Sequence, residues 1–134
     1  MRLVQPTGSY FMLVPTNVEE DIDAEVTSFW LDGDDLVLQL SSRTRGDGQQ
    51  VSASERLRDR LDMHAYSSVA IVPLEIPGCP GAEAVSAIGE DGTHWLLVYA
   101  VWPALAVFVT VTHPSRDVAA PSWAIDAVRS IRLS

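Results

Sequence analysis

The stretch His94–His113, HWLLVYAVWPALAVFVTVTH, constrains this chain more than any other. It is the longest apolar run in the protein, and Pro103 at its middle is the only strong breaker. A run of about 20 apolar residues is long enough to cross a bilayer as a helix. Two features argue against a helix here. A central proline removes a backbone donor and clashes with the preceding turn. The two halves also alternate β-branched, aromatic and threonine residues, which pack well on a pleated sheet. The expectation is two adjacent central strands, 94–102 and 105–112, joined at Trp102-Pro103-Ala104. Near-continuous apolarity over 95–101 implies that both faces of these strands are covered.

The rest of the chain reads as strand, short helix, β-hairpin, helix, β-meander, helix. Residues 9–14 form a first apolar strand ending at Pro15. Val18, Ile22 and Val26 recur at helical spacing behind Asn17, a candidate N-cap, so 17–26 reads as a short acidic helix. Asp32-Gly33 between TSFWL and DLVLQLSS signals a hairpin. In its second arm Leu36, Leu38 and Leu40 share one face. Val37, Gln39 and Ser41 share the other, which is semi-exposed or covered by a helix. After the polar loop 43–50, Ser52-Ala53-Ser54-Glu55 is a capping box opening a helix over 52–64. Ala53, Leu57, Leu61 and His64 form its stripe toward the sheet. Pro73 makes the 67–76 run an edge or interrupted strand. A strand over 83–88 and the turn Gly89–Gly92 lead into the long apolar stretch. Pro121 fits the first turn of a last helix, and SIRLS frames a terminal strand or tail. Tight hairpins imply antiparallel pairing. The expected fold is one α+β domain spanning 1–134: a mainly antiparallel sheet of about six strands with helices on its faces, an α/β/α sandwich.

Charge narrows the function. The chain carries 18 acidic residues against nine arginines, has no lysine, and has a net charge of −9. It lacks the basic footprint that nucleic acid or an anionic membrane surface requires. Without lysine there is no Schiff-base chemistry and no P-loop lysine. The single cysteine excludes an intrachain disulfide. Cys79, between glycine and proline, reads as an exposed turn thiol. His64, His94, His113 and Cys79 show no ligand spacing, and no nucleophile elbow or glycine-rich phosphate loop is present. No catalytic residue, cofactor or metal is therefore assigned. Pro6, Thr7 and Gly8 interrupt any signal-peptide core, so the expected location is cytoplasmic.

Two stretches are candidate partner contacts. From Thr16 to Ser42 there are eight carboxylates and no arginine, with Glu19, Glu20, Asp21 and Asp23 at their head. The tip Trp102, Pro103 and Leu105 is apolar where turns normally carry Gly, Asn or Asp. It is either covered by another part of the chain or it touches a partner. The leading expectation is a non-enzymatic protein-binding or adaptor module. One version is an immunity-type protein neutralising a basic partner, with opposite charge steering association. Arg56, Arg58 and Arg60 form the only basic cluster. It reads as a solvated face paired with carboxylates before it reads as an anion site. The alternative is a small-molecule binder or enzyme with a pocket between sheet and helix, for which Gln39, His94, Tyr99 and Thr110 are the inward polar residues. A homodimer through the 67–72 edge or the hairpin tip is a further expectation.

The layout also resembles the PsbP-like α/β/α-sandwich superfamily, which includes the photosystem extrinsic subunit, the Mog-type Ran-binding proteins, the DcrB-like proteins and the actinobacterial LpqN-type lipoproteins. The resembling features are a strand closing on Val14-Pro15, the Asp32-Gly33 hairpin, the 52–64 helix, the 83–112 meander and the closing Trp123…Ala127-Val128-Arg129-Ser130-Ile131-Arg132. Two features depart from it: Val18 stands near where such proteins often carry a tryptophan, and the lipoprotein cysteine is absent. The resemblance implies a non-enzymatic module that binds or scaffolds other proteins, and it carries over no functional residue.

Overall fold

The computed structural model describes residues 1–33, 35–44, 52–114 and 122–134. In chain order the elements are β1 (Arg2–Thr7), β2 (Tyr10–Val14), β3 (Glu19–Ile22), β4 (Thr27–Trp30), β5 (Val37–Thr44), α1 (Ala53–Met63), β6 (Ser67–Val72), β7 (Gly81–Ile88), β8 (His94–Trp102), β9 (Leu105–His113), α2 (Ser122–Arg129) and β10 (Arg132–Leu133). The expected α+β class with an antiparallel central sheet holds. That sheet has seven strands in the order β3-β4-β5-β9-β8-β7-β6, and a second sheet of three runs β1-β2-β10.

The long apolar stretch is the β8–β9 hairpin at the centre of the large sheet. Its register runs unbroken from His94↔His113 to Trp102↔Leu105. Alternation sends its side chains to two different environments. Leu96, Val98, Ala100 and Trp102 on β8, with Leu105, Val107, Val109 and Val111 on β9, turn to one face. There they meet Phe29, Leu38 and Leu40, closed over by Met12 and Val14 of β2 and by Ala124, Ala127 and Val128 of α2. Each fully buried Val, Leu or Phe of this kind stabilises the fold by roughly 1.5–3 kcal/mol. On the opposite face Leu97 and Val85 meet Leu57 of α1, flanked by Trp95, Tyr99 and Phe108.

Local chemistry fits these elements. The Ser52 hydroxyl accepts from the Glu55 backbone N–H at 3.4 Å, so it caps α1 as expected. His64 is the C-cap. In the β7–β8 turn Gly92 has φ +83°, a conformation that favours glycine, and Asp91 Oδ1 accepts from Thr93 N at 3.0 Å. That bond holds the Asp91 carboxyl below its ordinary range. Gly33 adopts φ +80° in the hairpin that joins β4 to β5. The expectations at Asp34, over 45–51 and at Pro121 lie outside the described residues.

The structure corrects the sequence in three places. First, 17–26 is not a helix. Its centre is β3, paired with β4 from Glu19↔Trp30 to Ile22↔Thr27. A two-turn helix is marginal by itself, whereas pairing satisfies the same backbone groups on an existing sheet. Of the supposed apolar stripe only Val18 is buried; Ile22 and Val26 are exposed. The loop between β3 and β4 is closed by a bond from Asp23 N to Val26 O at 3.2 Å. Second, the N-terminus contributes a strand. Pro6 lies in β1, an edge strand with a register shift between Val4 and Thr7, where a missing donor is tolerated. Third, the hairpin tip is covered. Trp102 and Leu105 are 4% and 3% exposed and join the main core, so neither side chain offers a contact surface; Pro103 and Ala104 alone remain outside.

Candidate ligand cleft

Helix α1 is short and packs on β7 and β8. Among the described residues that leaves much of the same face of the sheet open over β9 and β5. Register fixes which side chains stand there. Ser41 pairs with Phe108, and Phe108 with Tyr99; Arg43 pairs with Ala106, and Ala106 with Val101. These two cross-strand rows form the floor of a cleft of about 810 Å³. Arg56 and Arg60, one helical turn apart on α1, form one wall, and Ala24, Glu25 and Val26 of the β3–β4 loop form the other.

The floor is aromatic. Tyr99 and Phe108 stack with ring centroids 4.6 Å apart and planes 26° from parallel. The Arg60 guanidinium carbon lies 5.3 Å from the Phe108 centroid, within reach of a cation–π contact. Arg60 Nε is buried without a hydrogen-bond partner among the described residues. Among the described residues the charged groups in the lining are three arginines and Glu25, three positive to one negative in a chain of net −9. Among the described residues the one ion pair is Arg2–Glu20 at 2.6 Å, and neither partner lines the cleft. The carboxylate pairing expected for the α1 arginines is thus not formed among the described residues.

Other expected positions are distributed around the molecule. Glu19, Glu20 and Asp21 lie on β3, an exposed edge of the large sheet, and Asp23 follows in the loop. Of the inward polar candidates only Tyr99 reaches the cleft. Gln39 is exposed and donates to the Ser28 hydroxyl at 3.2 Å, and Thr110 is buried. His94 stacks on His113 with centroids 5.3 Å apart and planes 18° from parallel. Among the described residues no group of three or more His, Cys, Asp or Glu side chains could hold a metal ion. Cys79 is half-buried rather than exposed. Burial pushes its thiol up, against weaker opposing bonds to the carbonyls of Gly81 and Val101. The 67–72 strand is the other sheet edge, as expected. It carries exposed Val69 and Ile71, and its register shifts at Ser68, which has φ +53°.

Sequence reasoning missed Arg43 and Phe108 and set Arg56 and Arg60 on a solvated face. A usable signal was present: Arg56 and Arg60, at i and i+4, border the Ala53–Leu57 stripe on one side of the helix and so lie at the edge of the face turned to the sheet.

No family model matches the sequence, and no curated protein matches it. A solved structure from Bacteroides thetaiotaomicron is similar in fold, with a TM-score of 0.61 at 14% identity over 93% of this chain. The match covers 45% of that protein, so this chain spans less than half its length. At such identity the likeness shows the fold alone. Among the described residues no helix is long and apolar enough to cross a membrane.

Proposed function

We propose that this domain is a non-enzymatic, cytoplasmic binding module that receives a small organic ligand in the cleft beside α1. The observation that carries this reading is the stacked Tyr99–Phe108 floor inside an open concavity of about 810 Å³. Concave sites with an apolar floor and a few convergent polar groups are where proteins hold small molecules. The described lining has one carboxylate, Glu25, and neither histidine nor cysteine, a set better suited to holding a ligand than to moving protons. The neutral fluorophore N-phenyl-1-naphthylamine tests the reading. It should bind saturably with one site per chain, and Phe108→Ser should abolish that site. Absence of saturable binding to the folded protein would contradict it.

A second reading rests on β3. All four of its residues are exposed at the end of the large sheet, and three are acidic. A basic extended segment could add a strand there, steered by opposite charge. A protein-binding role is also what the PsbP-like resemblance implies. Association that is insensitive to salt and survives Glu19/Glu20/Asp21→Ala would remove β3 from this role.

A further inference from the structure

We propose that the cleft's ligand is an organic acid, with a flat apolar body on Tyr99 and Phe108 and a carboxylate, sulfonate or phosphate held by Arg60 with Arg56 and Arg43. The inference rests on the ligand-binding reading above and adds the chemical class. Three observations converge on it. The cleft gathers three of the chain's nine arginines, although the protein as a whole is strongly acidic. None of the three has an ion-pair partner among the described residues, Glu25 across the cleft included. Arg56 and Arg60 stand at i and i+4, a spacing at which like charges repel and opposite charges would attract.

Arg60 sharpens the argument. Its Nε is buried with no acceptor among the described residues, while its guanidinium carbon sits over the Phe108 ring. A buried donor without an acceptor is costly, and natural proteins rarely keep one. The aromatic ring holds the guanidinium in place but accepts no conventional hydrogen bond. Once an anion draws the guanidinium from the ring toward the cleft, one oxygen satisfies Nε–H and a second oxygen of the same group satisfies a terminal N–H, the two-pronged geometry arginine offers to carboxylates and phosphates. The rings beside it favour an acid with an apolar body over a bare inorganic anion.

Two matched probes separate this inference from the reading beneath it. 8-Anilinonaphthalene-1-sulfonate carries the anion, and N-phenyl-1-naphthylamine has a similar body without it. Fluorescence titrations of the full chain should show the sulfonate bound about tenfold more tightly or better. That preference should shrink on raising salt from about 0.05 to 0.5 M. Arg60→Gln should erase it by weakening the sulfonate far more than the neutral probe, and Arg60→Lys should restore part of it. Near-ultraviolet circular dichroism checks that each variant is folded. If Arg60→Gln does not fold, Arg56→Gln and Arg43→Gln replace it, each expected to reduce the preference. Equal affinity for both probes in the wild type would overturn the organic-acid inference and leave the cleft standing. Failure of both probes to bind saturably would overturn both. A sulfonate preference that persists in the folded arginine variants would also overturn the assignment.

Discussion

The two faces of the seven-stranded sheet are built from alternate residues of the same strands, yet they serve different ends. The face under β2 and α2 is dry: Phe29, Leu38, Val98, Val107 and Val109 have no exposed area. Among the described residues the other face is roofed by α1 mainly over β7 and β8, and its open part carries Ser41, Arg43, Tyr99, Ala106 and Phe108. One face is core throughout; the other divides between the Leu57, Val85 and Leu97 cluster and the proposed site. In β5, β8 and β9 the odd–even parity of a position decides which face its residue joins.

The sharpest way to break that division is to truncate one aromatic on each face. Phe29→Ala on the dry face should cost about 3–5 kcal/mol in urea unfolding, because it opens a cavity in a close-packed core. Phe108→Ala, half-buried, should cost roughly half as much, since less apolar area leaves water on folding there. Equal losses would mean that the open face is core as well.

Tyr10 reports on the dry side by pH. Burial between the sheets pushes its hydroxyl up to about 12 from the usual 10.0, only partly opposed by a hydrogen bond with Ser42. The folded state favours the protonated phenol. Its contribution, on the order of 2 kcal/mol, is therefore complete below pH 10 and is lost as pH rises toward 12. Tyrosinate absorbance should show a transition near 12 that disappears in Tyr10→Phe; a Tyr10 transition near 10 would show that water reaches this face.

Smaller effects belong to the open face. Ser52→Ala removes the α1 cap and should cost about 1 kcal/mol in thermal or urea unfolding. Because α1 carries Arg56 and Arg60, the same change should weaken probe binding. Arg60→Gln should change stability least, by within about 0.5 kcal/mol, because the wild-type side chain satisfies so little of its own hydrogen bonding. A large loss would mean that Arg60 is structural.

Much of the dry face was legible in the sequence. Alternation through 94–113 specifies β8 and β9, Leu36, Leu38 and Leu40 mark the inner side of the β4–β5 hairpin arm, and Ser52 marks the start of α1. Legibility ended where local and tertiary preferences diverge. The Val18, Ile22 and Val26 spacing suits a helix, but an available sheet edge took the segment instead. The apolar Trp102 tip suggested a contact because sequence does not reveal which face its side chains join. The cleft was hidden for a related reason. Arg43 lies on a strand and Arg56 and Arg60 on a helix, and only the seating of α1 on β7 and β8 brings them over one aromatic floor.

The central claim is that ligand binds on the open face and engages Arg60. The most direct test follows the Arg60 Nε–H resonance and the methyl resonances of Leu38 and Val109 by NMR while 8-anilinonaphthalene-1-sulfonate is added. The account predicts a large, saturable shift at Arg60 Nε–H and shifts at the Val101 methyls bordering the cleft, with Leu38 and Val109 unmoved. Saturable binding that leaves Arg60 Nε–H in place, or that moves Leu38 and Val109 instead, would contradict it.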